Sequence, residues 1–254
     1  MFLLLSPSKS LDFETPAFTT DYSQHRLSHE SAALISVVRK LSRSDLMQMM
    51  HVSEKIADLN VARFAEWSLP FTPENSRTAL AAFTGDVYQG LQARNWSAAD
   101  TAFAQAHLRI LSGLYGLLRP LDLVQAYRLE MGIGLATERG KTLYAFWKTM
   151  LTEALNADLA VANEDTVVNL ASEEYFKAID TRKLQARVVH IGFKEERNGV
   201  LKIISFNAKR ARGAMADFVV RNGLSAVADL QAFDTDNYKY AAELSSENYL
   251  MFIR

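Results

Sequence analysis

Asn198-Gly199 sits between two runs rich in β-branched and aromatic residues, Arg187 to Phe193 and Val200 to Phe206. Asn-Gly between such runs is a strong short-range signal for a hairpin, because a tight two-residue turn needs positive φ at both central positions. The pair commits the chain to at least one antiparallel ribbon. The segment after the ribbon is helical in pattern: Ala208, Ala211, Met215, Phe218 and Val219 recur at the spacing of one helix face. Asn207 is the expected cap, and Asn222-Gly223 the expected stop.

Other strands and helices obey the same rules. Met1 to Leu5 reads as a short buried strand ending at Pro7, Thr166 to Leu170 as a second, and Tyr249 to Ile253 as a third. Helices are expected from Ser28 to Leu41, from Ser44 and Ser53 onwards to Trp67, and from Ser97 to a stop at Gly113. A long amphipathic helix is expected over 142–156, and another helix opens at Ser172. Strands and helices are mixed without a regular βα repeat, and no low-complexity linker interrupts the 254 residues. The expected class is α+β or mixed α/β, a single compact domain over 1–254. The apolar fraction of 49% and charged fraction of 22% are those of a soluble globular chain. Phe2 to Leu5 is too short for a secretory segment and nothing later spans a membrane, so a complete cytoplasmic protein is expected. The absence of cysteine excludes disulfides, thiolate metal ligation and cysteine nucleophiles.

Net charge is −1, yet the charge is segregated. Residues 182–212 carry Arg182, Lys183, Arg187, Lys194, Arg197, Lys202, Lys209, Arg210 and Arg212 against Glu195 and Glu196, which leaves +7 there and −8 elsewhere. Three of these cations, Lys209, Arg210 and Arg212, fall in the first turn and a half of the helix after the hairpin. Cations are disfavoured at a helix N-terminus, by about 0.3–1 kcal/mol each when exposed. Together with free backbone N–H groups they make an anion site, for which a phosphate is the natural occupant. Pairing with carboxylates elsewhere in the fold is the competing reading. Lys9, in the loop Ser6-Pro7-Ser8-Lys9-Ser10 after the first strand, stands at a common ligand position, where it could meet a phosphate or be an ordinary solvated loop lysine.

Leu111 to Asp122 places Gly113 and Gly116 three apart between apolar runs, with Arg119 beside them. That spacing suggests a tight connection between two helices, of the helix-hairpin-helix kind that offers backbone N–H groups to phosphate. A purely structural turn is the alternative. Arg128, a little beyond the turn, is a further phosphate-binding candidate. Asp86 and Glu130 are carboxylates in otherwise apolar company, for which an ion pair with Arg128 is the structural reading, and Glu174 opens the helix at Ser172. These three carboxylates are the candidate acids or bases if the protein is an enzyme. His25 and His29 are four apart, but Ser28 between them marks a helix start, and the remaining histidines are isolated. No metal site or cofactor is expected.

In chain order, these segments resemble the YaaA peroxide stress-resistance family. The matching blocks are Ser6 to Lys9, Phe83 to Tyr88, Leu111 to Pro120, Tyr127 to Gly132, Asn169 to Ser172 and Phe206 to Gly213. The resemblance implies a cytosolic protein of hydrogen peroxide defence that limits unincorporated iron. It also implies a mixed α/β fold with a helix-hairpin-helix, a positive cleft and DNA binding. The segregated charge itself favours a non-enzymatic role, with phosphate contacts that carry no sequence specificity. Carried onto this chain, Leu111 to Pro120 is the hairpin candidate. Lys9, Lys209, Arg210 and Arg212 are the cleft candidates. The alternative function is an enzyme acting on a nucleotide or nucleobase, with phosphate held by the same cations.

Overall fold

Every residue of the first strand, β1 (Phe2–Leu5), is buried. Side chains alternate between the two faces of a strand, so full burial requires cover on both faces. The computed structural model describes residues 1–254 and supplies that cover. Helices α1 (Ser28–Val38), α2 (Arg43–Met50) and α3 (Glu54–Glu66) come after β1. Next are the short β2 (Arg77–Thr78), α4 (Ala79–Ala82), α5 (Asp86–Leu91) and α6 (Ala98–His107). The chain returns to the sheet as β3 (Leu108–Ser112) and β4 (Gly116–Leu118), and β5 (Leu123–Val124) pairs with β2. Helices α7 (Leu143–Trp147) and α8 (Met150–Ala162) lead to β6 (Thr166–Asn169) and α9 (Glu173–Phe176). Then β7 (Arg187–Arg197), β8 (Val200–Lys202), α10 (Ser205–Asn222), β9 (Lys239–Tyr240) and β10 (Tyr249–Ile253) complete the order.

The main sheet runs β4-β3-β1-β6-β7-β10-β9, with β8 added to the far end of β7. Its five central strands, β3-β1-β6-β7-β10, are all parallel. β4, β8 and β9 are antiparallel additions. The class is therefore mixed α/β, as expected, around one contiguous core of 65 buried apolar residues that runs from Met1 to Phe252.

Local chemistry explains several element boundaries. Ser42 with Asp45 and Ser97 with Asp100 form reciprocal capping boxes that start α2 and α6. Gly223, at φ 58°, closes α10. The Asn198-Gly199 turn joins β7 to β8 with both φ values positive.

Several expectations need correction. α2 starts from Ser42 rather than Ser44. The helix over 142–156 is two helices, broken where Lys148 takes φ 38°. The second arm of the hairpin ends at Lys202. Asn207 does not cap α10, which starts at Ser205, and its amide donates to Glu195 Oε1 at 2.6 Å instead.

The largest correction concerns 111–120. It contains no helix-hairpin-helix: α6 stops at His107 and the chain enters β3, which turns back antiparallel as β4. A short apolar run does not distinguish a buried strand from a buried helix by periodicity. Gly113 and Gly116 are buried in that turn. A side chain at Gly113 would overlap the Leu129 carbonyl, and one at Gly116, at φ 72°, would overlap the Trp147 ring. The two glycines admit close packing and present nothing to a phosphate. The helical hairpin of this fold is α2–α3, joined through His51 at φ 51°.

Candidate functional site

β1 and β6 are hydrogen-bonded neighbours whose outgoing connections diverge. The chain leaving β1 reaches β3 on one side, and the chain leaving β6 reaches β7 on the other. In an open parallel sheet this divergence opens a crevice beyond the carboxyl ends of the two strands, the usual ligand position. A cleft of about 410 Å³ lies there. Ser6 to Ser10 form one wall after β1, and Leu170 to Tyr175 another after β6. Asp86, Lys209 and Arg212 come from α5 and α10.

The two loops are tied to each other. Ser172 N donates to Ser6 Oγ at 2.8 Å, and Tyr88 Oη donates to the Ser6 carbonyl at 3.0 Å. Gly85 N donates to Ser8 Oγ at 2.8 Å, and a side chain at Gly85 would overlap that hydroxyl. The start of α5 is thus seated on the loop after β1. Tyr88 and Tyr175 are buried at the base, and burial pushes both phenols well above their ordinary pKa. They are neutral hydrogen-bonding groups at physiological pH.

Lys9 Nζ meets Glu130 Oε1 at 2.8 Å, and Arg128 reaches the same oxygen at 3.1 Å. Burial alone would raise the Glu130 pKa. The hydrogen bond from Lys9 and the charge of Arg128 outweigh it and hold the carboxyl below its ordinary range. Glu130 is an ionised anchor, poorly suited to donate a proton near neutrality. Its Oε2 is buried without a hydrogen-bond partner. Lys9 itself is 63% exposed, so it remains available to a ligand.

The cations of α10 divide. Arg210 faces Asp236 at 3.8 Å. Lys209 and Arg212 line the cleft and make no ion pair. Burial depresses the Arg212 pKa with no carboxylate to offset it. A half-buried guanidinium in that state is strongly attracted to an anion. Elsewhere in the basic stretch Arg182, Arg187 and Arg197 pair with Asp180, Glu247 and Glu195, so the +7 window overstates the local field.

Three cations in the cleft face two carboxylates, Asp86 and Glu174. Glu174 Oε1 accepts from Gly132 N at 3.0 Å, which ties the Tyr127 to Gly132 block to the rim. Lys9, Asp86, Glu174, Lys209 and Arg212, scattered along the sequence, are therefore brought together, with Glu130 and Arg128 directly behind Lys9. Arg119 is not among them: its guanidinium grips the fully buried Asp122 at 2.8 Å and the Gln24 carbonyl at 3.1 Å. Sequence reasoning named Ser6, Tyr88 and Ser172 only within longer segments and gave them no role, and it did not name Tyr175. The matching blocks Ser6 to Lys9, Phe83 to Tyr88 and Asn169 to Ser172 were the signal for the first three, and Tyr175 had none.

No three His, Asp or Glu side chains converge as a metal ligand set. His25 is buried, where Leu27 N donates to Nδ1 at 3.4 Å and Nε2 meets Ser31 Oγ at 2.8 Å, while His29 lies outside the core. No helix is long and apolar enough to cross a membrane.

Fold and cleft together define a mixed α/β protein with a cationic crevice at a topological switch point. The family described as peroxide stress protein YaaA matches residues 1–244, and this chain belongs to that family.

Proposed function

We propose that this peroxide stress protein protects DNA in the cytoplasm by binding it. Lys9, Lys209 and Arg212 hold backbone phosphate in the cleft between β1 and β6. The observation that carries the reading is the pair Lys209 and Arg212, unpartnered in a fold where the neighbouring arginines have found carboxylates. Contacts of this kind give affinity without sequence preference and weaken steeply with salt. In this reading the lowering of unincorporated iron is a downstream effect, not a metal site in the protein. A salt titration of duplex DNA binding tests it. The K209A/R212A variant should bind more weakly, with the slope of log K against log salt reduced by about 2. R210A, whose guanidinium faces Asp236, should change neither quantity much. Unchanged binding by the double variant at every salt concentration rejects the assignment.

A second reading is favoured by Asp86 and Glu174 lining the same cleft. Cations that hold a phosphate beside carboxylates suit an enzyme acting on a nucleotide or nucleobase. Asp86→Asn should then abolish turnover with the fold intact. A folded variant of undiminished turnover removes Asp86 from that role.

A further inference from the structure

A second cavity, of about 350 Å³, adjoins the cleft and shares Arg212 with it. Its volume falls within the roughly 300–1,000 Å³ typical of small-ligand sites. Its lining is of a different kind: Phe176, His190, Phe193, Ile203 and Tyr249 supply aromatic and aliphatic surface. Two of these apolar groups stay in contact with water, with Ile203 66% and Tyr249 37% exposed. Glycine at 192 lets the Tyr249 ring lie close over the strand, where a side chain would overlap the Tyr249 hydroxyl.

The polar groups are fixed in a defined order. Ala171 N donates to Asn169 Oδ1 at 3.0 Å, which sets the amide orientation. Asn169 Nδ2 then meets His190 Nδ1 at 3.1 Å as donor to acceptor. The imidazole proton is thereby placed on Nε2. Burial lowers the His190 pKa, so the ring stays neutral. The cavity thus combines flat aromatic surfaces with one oriented neutral donor and the Glu173 carboxylate, beside an arginine that makes no ion pair.

We infer that this second cavity is a subsite for an unpaired nucleobase whose phosphate is held by Arg212. Aromatic and apolar surfaces accept the π-face of any base, and the adjoining cation accepts the phosphate, a pairing common to single-strand recognition. The inference rests on the phosphate reading of the cleft and adds a preference for nucleic acid with a base out of its stack. A free nucleotide carries the same base-and-phosphate chemistry.

The test compares a labelled, fully paired duplex with duplexes bearing one bulged 2-aminopurine or one bulged abasic residue. Free 2-aminopurine deoxynucleoside monophosphate is measured alongside. The bulged base should bind about fivefold or more tighter than the other two duplexes, within the range of one base-stacking contact, with quenched 2-aminopurine emission. H190A/Y249A should remove that preference and leave binding to the paired duplex unchanged. I203A, at an exposed position that can be truncated without unfolding, should reduce it. Equal binding to all three duplexes with the salt dependence intact overturns the base subsite while the phosphate cleft stands. Quenched binding of the free nucleotide alone, lost in I203A, supports the subsite and overturns DNA as its source. Binding to none of the probes overturns subsite and cleft together.

Discussion

Gly90 and Gly213 mark a crossing at which α5 and α10 touch backbone to backbone. A side chain on Gly213 would overlap the Val87 carbonyl, and one on Gly90 would overlap the Arg210 carbonyl. Lys209 and Arg212 lie within four residues N-terminal of this crossing, so the contact brings α10's cations beside Asp86 at the start of α5. G213A forces the helices apart and should cost about 1–3 kcal/mol, the usual range for overpacking. Urea unfolding measures the loss, and the folded variant should also bind DNA more weakly because Arg212 moves. Full stability in G213A would contradict the close contact.

Burial lowers the His25 pKa to about 4 from 6.5. The folded value lies below the unfolded one, so the unfolded chain binds the extra proton between them. The stability is therefore complete above pH 6.5 and is lost as pH falls towards 4. The full effect is about 3 kcal/mol. H25Q, which keeps an amide donor for Ser31, should flatten the dependence of unfolding free energy on pH in this window by about one proton. An unaltered slope would place the titration elsewhere.

Asp158 accepts from Arg26 at 2.5 Å and from Arg109 at 2.6 Å, deep against the sheet. Burial would raise its pKa, but the two guanidinium groups hold it lower than usual. Its stabilisation is thus present above the ordinary carboxylate range and lost as pH falls through the folded value. D158N leaves Arg109, only 5% exposed, without its counter-charge, and should cost about 3–5 kcal/mol. Thermal unfolding near neutral pH reads this directly, and a loss under about 1 kcal/mol would show that Arg109 finds another partner.

E130Q separates attenuation of Lys9 from its positioning. It removes the negative charge behind Lys9 while keeping the shape, so phosphate affinity should rise by roughly fivefold, about 1 kcal/mol for one charge near the surface. Stability should fall, because Arg128 loses its ion pair. Anisotropy at fixed salt gives the first quantity, and denaturant unfolding the second. Weaker DNA binding would mean that Glu130 serves to position Lys9 rather than to attenuate it.

Much of the architecture was legible in the sequence. β1, β6 and β10 announced themselves as short apolar runs, and the Asn198-Gly199 turn and the Gly223 stop reported their own φ angles. The 108–118 segment did not, because Leu and Ile runs bounded by glycine fit a buried strand as well as a helix. Only the parallel pairing of Leu3 with Leu108 decides it. The cleft was half legible. Lys9, Lys209, Arg212, Asp86 and Glu174 were each identifiable by local context, but which arginines stay unpaired depends on acids elsewhere in the fold. Asp236 takes Arg210 and Asp122 takes Arg119, whereas Arg212 finds no carboxylate.

The placement of β1 at the centre of the sheet sets an order of assembly. Leu3 pairs with Leu108 on one side and with Val168 on the other. Neither edge of β1 is satisfied by its neighbours in the chain, so β1 enters the sheet only through long-range pairing, whatever local hairpins form first. Closing loops of that length precedes any stabilising pairing and slows folding. A nascent chain stopped before β6 keeps one flank of its most apolar strand open, and with it half of the cleft unbuilt.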